Sequence, residues 1–269
     1  MSTGSWDAHV HLLGGPRHPL SPTRAENPPP GIDFEGWLAL YRDHPAALGC
    51  DHGLIVHSIL YGTDNSVTLE AVKALGSNFK GVGLLPDDSP TTAINALAEA
   101  NICAIRLNYV HGGVLTWAGA RTMAPALADH SMHIQILLHA DLHIEDIAQD
   151  IRTLPTPLVI DHCGWPTTLD AQTPAIDTLC ALLAEGHIWV KLSAPYRFTD
   201  RPENAHPIMR RLIDANPDQC IWGSDWPHIM LNGVRMPRAA ALLDSVAAIS
   251  STQEQKKIFK TNPDRLFGS

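Results

Sequence analysis

Eight apolar, β-branched runs recur along the chain, and a helix-length stretch separates each from the next; this alternation constrains the fold more than any other feature. The strand-like runs are Ser5–Val10, Gly53–Ser58, Lys80–Leu85, Ile102–Leu107, His133–His139, Pro157–His162, His187–Leu192 and Gln219–Gly223. Helical patterns follow at Phe34–Ala47, Val67–Leu75, Thr91–Glu99, Ala118–Asp129, Ile144–Thr153, Thr173–Glu185, Ala205–Ala215 and Pro237–Ala248, with a last one at Thr252–Phe259. A crossover helix returns the chain for another parallel strand, and eight such units close a sheet on itself. The expectation is an α/β protein with a (β/α)8 TIM barrel, one domain over residues 1–269. An open doubly wound sheet is the competitor, but it more readily accompanies a glycine-rich nucleotide turn, and neither GxGxxG nor GxxxxGK[ST] occurs. Gly14–Gly31, with Pro28-Pro29-Pro30, carries too many breakers for a regular element and reads as a long loop over the catalytic face or a disordered linker. Ser251 and Thr252 ahead of Glu254 and Gln255 read as a helix cap.

Composition narrows the function classes. The 269 residues carry 19 Lys plus Arg against 28 Asp plus Glu, a formal charge of −9. That balance disfavours a nucleic-acid binder, which presents a basic surface. No apolar run approaches the roughly 20 residues of a membrane span, and the first residues lack the basic and apolar regions of a signal peptide. A cytoplasmic protein, with no membrane partner, is expected. Five cysteines without CxxC spacing argue against a disulfide framework or a thiolate zinc site and read as buried small hydrophobes. Fifteen histidines, many beside aspartate or at the ends of strand-like runs, point to chemistry or metal binding.

Three strand ends hold the candidate chemistry. His9 and His11 sit two residues apart at the end of the first strand, so both imidazoles share a face at the barrel mouth, where barrel active sites gather. Leu158–Gly164 ends a strand in His162, and Ile221–His228 ends the last strand with Asp225 before a proline-restricted turn. In a barrel the last strand lies beside the first, so Asp225 is expected close to His9 and His11. A carboxylate among histidines can take a proton from water and return it to a leaving group. The histidines can bind a divalent ion or donate hydrogen bonds to a carbonyl.

His9-Val10-His11, Ile160–Gly164 and Trp222–His228 resemble the amidohydrolase-2 branch of the amidohydrolase superfamily, and within it lactonases of carboxylated pyrones. The likeness runs through Tyr61–Asn65, Ile105–Asn108 and Thr261–Phe267, essentially the whole chain. It implies a distorted barrel and hydrolysis of a small carboxylated lactone, in aromatic or sugar-acid catabolism. Asp225 would activate water, His9, His11 and His162 would hold or polarise the ester carbonyl, and Arg106 and Arg197 would hold substrate carboxylates. That last role suits guanidinium, which forms bidentate bonds to carboxylates. His228 and Trp226 would shape the pocket, with His228 near enough to touch substrate. Thr63, Asn65 and Asn108 could supply neutral hydrogen bonds, or serve their own turns.

Three positions depart from the branch. Leu137 stands where a fifth-strand tyrosine is expected, and Tyr109–Gly113 lacks a second arginine. His139 ends the fifth strand-like run on the face of Gln135, which resembles the ligand set of metal-dependent relatives. The cofactor expectation is therefore either none or one divalent ion, zinc or manganese, held among His9, His11, His139, His162 and Asp225. A metal-dependent decarboxylase or hydratase of the same branch is the alternative enzyme, and a barrel reused as a binding protein the non-enzymatic one. The chain is expected to be a monomer or a homodimer.

Overall fold

In a computed structural model, which describes residues 3–231 and 235–268, eight parallel strands run in the order β1 to β8. They are β1 (Trp6–Val10), β2 (His52–Val56), β3 (Phe79–Gly83), β4 (Ile102–Asn108), β5 (His133–Leu137), β6 (Leu158–Ile160), β7 (Ile188–Ser193) and β8 (Cys220–Gly223). The helices are α1 (Phe34–Leu48), α2 (Ser66–Leu75), α3 (Thr91–Glu99), α4 (Trp117–Asp129), α5 (Ala140–Ile151), α6 (Pro174–Ala184), α7 (His206–Ala215) and α8 (Ala239–Ala247). Two short helices, α9 (Thr252–Lys256) and α10 (Asn262–Phe267), flank a π-helical turn at Lys257–Thr261. The arrangement is the expected (β/α)8 barrel. Ser251 closes a capping box with Glu254, as the Ser-x-x-Glu spacing predicts.

Closure happens where β8 meets β1. Beyond the regular ladder, Asp225 N donates to His9 O (2.8 Å) and His11 N to Trp226 O (2.7 Å). The two backbones come so close at Gly223 that a Cβ there would stand 2.5 Å from His9 N, so only glycine fits. One extra residue bulges β1 between Asp7 and Val10. Ala8 packs with the barrel interior while Asp7 turns outward, where its Oδ1 accepts from Ser224 N (2.7 Å) and its Oδ2 lies 3.3 Å from His44 Nε2. A buried outward carboxylate thus fixes the first residue after β8.

The interior is layered. At the N-terminal end of the strands, Trp6, Leu54, Val82, Ala104, Val159, Trp189 and Ile221 form an apolar cluster with Phe267 of α10. The larger cluster lies between sheet and helices. Between the plug and the mouth sits a polar layer: Lys191 of β7, Gln135 of β5 and Asp161 just past β6, each fully buried. Several boundaries differ from expectation, β2 and β3 among them, and those of β5 and β6 bear on the site. β5 stops at Leu137 and β6 at Ile160, because the backbone turns directly into α5 and into a 3-10 turn at His162–Gly164. His139 is therefore the N-cap residue of α5 rather than a strand residue, and α5 begins at Ala140 instead of Ile144.

Candidate active site

The C-terminal mouth brings His9, His11, His162 and Asp225 together. His9 Nε2 and His11 Nε2 are 3.3 Å apart, and Asp225 Oδ1 lies 3.6 Å from the first and 3.4 Å from the second. His162 joins His9 and Asp225 in a group whose ligand atoms all lie within 4.8 Å of one another. His162 (φ 53°), Asp225 (φ 61°) and His228 (φ 62°) adopt the left-handed backbone region, which costs a non-glycine residue about 1–3 kcal/mol. The hydrogen bonds of the β8–β1 closure hold Asp225 there against that cost.

The two oxygens of Asp225 differ. Oδ2 accepts from Tyr196 OH (2.5 Å), Arg197 Nε (2.9 Å) and Arg197 Nη2 (2.6 Å), while buried Oδ1 has no hydrogen-bond partner among the described residues. One oxygen fixes the group and the other faces the histidines. Burial alone would raise this carboxyl, but Arg197, His162, His11 and His9 outweigh it and hold the pKa well below the usual carboxylate range. Arg197 is itself held, its guanidinium 5.3 Å from the ring of Trp165 and its Nη2 3.4 Å from Ile229 O.

Hydrogen bonding sets the imidazole states. His11 Nδ1 meets Val56 O at 2.8 Å, so it carries the proton and leaves Nε2 as an acceptor. Lys191 Nζ lies 3.2 Å from His9 Nδ1, 2.7 Å from Gln135 Oε1 and 3.4 Å from Asp161 Oδ1. An ammonium only donates, so in this contact the His9 ring proton sits on Nε2, toward His11 and Asp225. Asp161 Oδ1 also lies 3.3 Å from His9 Nδ1 and has no hydrogen-bond partner among the described residues. It is placed to take the proton on Nδ1 instead. Burial and the adjacent ammonium push His9 well below its ordinary pKa, and burial brings His162 down to about 3, so both are neutral near pH 7. Burial likewise lowers Lys191 to about 8, with Asp161 opposing. His162 Nδ1 pairs with Ser193 Oγ at 2.8 Å.

The donor set fits one divalent ion. The edges of 3.3–3.6 Å between His9 Nε2, His11 Nε2 and Asp225 Oδ1 match the edge of about 3.4 Å of a tetrahedron with zinc-to-nitrogen bonds of roughly 2.0–2.1 Å. The unpartnered Oδ1 of Asp225 and an acceptor for the His9 Nδ1 proton complete the match. His139 does not join them. Its Nδ1 bonds Trp165 O (2.8 Å), and its ring stacks on His143 one helical turn along α5. Leaving the strand two residues early carries it off the inward face that the two-residue period predicts. Zinc-loaded protein should therefore keep its metal in His139→Ala and lose it in His9→Ala, as read by plasma mass spectrometry.

A chamber of about 30 Å³ fronts the cluster, lined by His11, Arg106, Leu137, His162, Trp165 and Arg197 among others. It shares Ile59, Arg106, Asn108 and His111 with a cavity of about 300 Å³. Arg106 donates from Nη1 to His57 O (3.2 Å) and from Nη2 to Asp161 Oδ2 (3.4 Å), and its buried Nε has no partner among the described residues. Asn108 lines both spaces; its Oδ1 accepts from His111 N (2.9 Å), and its buried Nδ2 has no partner among the described residues.

Three expected contacts are placed otherwise. Asn65 spends both ends of its amide on Leu84, donating to its O and accepting from its N at 2.8 Å each, so it staples a loop. Thr63 is exposed and lines neither space. His228 stands behind Tyr196, with Nδ1 3.3 Å from Tyr196 OH, on the wall of an outer groove that Trp226 also lines and that shares Ile229 and Met230 with the chamber. Conversely, sequence reasoning passed over Lys191, Asp161, Tyr196, Ser193 and Gln135. A lysine inside the strand Ile188–Ser193 was the visible signal, since a central strand rarely buries one unpaired.

The profile of the family described as "Amidohydrolase" (Amidohydro_2) matches residues 6–269. A 4-sulfomuconolactone hydrolase from Hydrogenophaga intermedia is 31% identical over 287 residues, covering 100% of this chain and 90% of that one. A 2-pyrone-4,6-dicarboxylate hydrolase from Comamonas testosteroni is 28% identical over 285 residues, covering 99% and 91%. Among solved structures, one from Acinetobacter baumannii, described as a "probable 2-pyrone-4,6-dicarboxylic acid hydrolase" with citric acid bound, superposes with a TM-score of 0.85 at 20% identity, covering 99% of this chain and 100% of that one. That last likeness shows a shared fold.

Proposed function

The chain belongs to the amidohydrolase family, and on that premise we propose that it hydrolyses a small carboxylated lactone with water activated at Asp225. The observation that carries this reading is the asymmetry of Asp225: Oδ2 is fixed by Tyr196 and Arg197 while the buried Oδ1 is free beside three histidines. Related lactone hydrolases at 28–31% identity support the substrate class.

Asp225 Oδ1 takes a proton from water as the hydroxide adds to the lactone carbonyl carbon. Neutral His162, oriented through Nδ1 by Ser193, and His9, with its proton on Nε2, donate to the oxyanion. Collapse breaks the ring carbon–oxygen bond, and Asp225 returns its proton to the leaving oxygen, so the product is the ring-opened acid. A substrate carboxylate on Arg106 and Arg197 anchors the ring. By drawing charge from Arg197 it also loosens that residue's hold on Asp225 and makes the aspartate a stronger base. A divalent ion held by His9, His11 and Asp225 would add Lewis acidity at the carbonyl oxygen.

Incubating the purified protein with carboxylated and uncharged lactones tests the reading. Ring opening of the carboxylated members, seen as loss of ring absorbance with appearance of the hydroxy acid or its keto form, is expected. Ring opening of none of them, or of the uncharged ones equally well, would overturn it.

A further inference from the structure

The chamber beside the reacting groups is too small for a whole lactone. Its volume of about 30 Å³ is close to the share of a single water in the liquid. A substrate whose carbonyl reaches His162 and Asp225 must therefore extend past the neck formed by Ile59, Arg106, Asn108 and His111 into the cavity of about 300 Å³. That cavity is larger than a ring needs, since an apolar cavity of about 150 Å³ already takes benzene. Roughly half of it is left for something carried on the ring.

Beyond the neck, each polar side chain on the wall has a partner in the protein. Ser21 Oγ pairs with Thr23 Oγ1 (3.0 Å), and Arg24 donates from Nε to Asn27 Oδ1 (2.8 Å) and from Nη1 to Ser21 O (3.0 Å). His57 Nε2 bonds Gly62 O (2.8 Å), and burial brings its pKa down to about 4, so the ring is neutral near pH 7. The rest of the wall is hydrocarbon: Ile59, Leu84, Val114 and Leu115, with 43% of Val114 exposed. Gly112 and Gly113 complete it, and a Cβ at either would meet nothing within 4 Å. Hydrocarbon left facing water beside a cavity gains free energy when more hydrocarbon covers it. We propose that this cavity is a subsite for a hydrocarbon substituent, alkyl or phenyl in size, on the side of the lactone away from the scissile carbonyl. The substrate class becomes a lactone with its acid at Arg106 and Arg197 and an apolar arm along Val114 and Leu115, and this rests on the lactonase reading above.

Calorimetric titration of the whole protein with inert ring carboxylates tests this without relying on turnover. From benzoate through 3-methyl-, 3-ethyl- and 3-propylbenzoate, affinity should rise about fourfold for each carbon added, the effect of burying one more methylene. Gly113→Leu places a side chain in open space without a positive φ to strain it, and should bind benzoate like the parent while losing the gain along the series. Val114→Asn, at an exposed position, should reduce the gain by making the wall polar. Equal affinity across the series, no binding of any member, or isophthalate bound more tightly than 3-propylbenzoate overturns the subsite, as does a gain that survives unchanged in both variants. If the protein opens no carboxylated lactone but the gain is seen and Gly113→Leu removes it, the lactonase reading fails and the hydrocarbon subsite stands. In an active enzyme, kcat/KM should climb along the same alkyl series built on a carboxylated lactone.

Discussion

Asp225→Asn should lower turnover of a carboxylated lactone by about 10³-fold, within the range that loss of a general base produces. The amide keeps the shape of the side chain and can still accept from Tyr196 and Arg197 through one oxygen. It cannot hold the proton removed from water. The variant should remain folded by circular dichroism, but it should be less stable than the parent, because Arg197 is buried beside Trp165 and loses its counter-charge. The pH profile carries a matching sign. The folded carboxyl is depressed by Arg197 and the histidines, so the base form is present above that low value and is lost only as pH falls through it. The acid limb assigned to Asp225 should therefore lie below the usual carboxylate range. Near-normal turnover in Asp225→Asn would remove Asp225 from the role of base and leave the fixed Oδ2 without a catalytic meaning.

Lys191→Met should be the most damaging change to stability among the residues beneath the mouth, at about 3–5 kcal/mol by denaturant titration. Its ammonium is fully buried and meets Gln135 Oε1, His9 Nδ1 and Asp161 Oδ1 at 2.7–3.4 Å. Methionine fills the length and removes the charge, leaving Asp161 with Arg106 and Gln135 as its remaining donors. Burial works against Asp161 as an anion, and Lys191 is the first of the groups that offset it. The same change frees His9 to place its ring proton on Nδ1 toward Asp161. As a positioning residue, Lys191 should then affect kcat more than KM, because the substrate carboxylates are held elsewhere. A variant as stable as the parent, or one whose loss appears only in KM, would contradict this role.

The barrel was legible because its causes are local and repeated. Apolar β-branched runs and amphipathic stretches alternate eight times, and the open doubly wound sheet that shares this order more readily carries a glycine-rich nucleotide turn, which the sequence lacks. His9, His11, His162 and Asp225 were legible for a related reason: each stands at a strand end, and barrel topology brings strand ends to one mouth. What escaped depends on where the strands stop. His139 lies only two residues past β5, but those two residues turn the backbone and carry its ring to Trp165 and His143. The β1 bulge places Ala8 inside and Asp7 outside, a shift of one residue that periodicity does not register. Asn65 has the composition of a ligand residue, yet its amide is consumed by Leu84. Lys191 and Tyr196 lie on β7 and the turn after it and Asp161 just past β6, and only the closed barrel makes them neighbours of His9 and Asp225.

The central claim, that water activated at Asp225 attacks the carbonyl carbon of a carboxylated lactone, is tested most directly by running the reaction in heavy-oxygen water and locating the label by mass spectrometry. The account predicts one heavy oxygen in each ring-opened product, in the carboxylate formed from the lactone carbonyl. Label on the carbon that bore the ring oxygen, or a product that is an unlabelled isomer of the substrate, would contradict it.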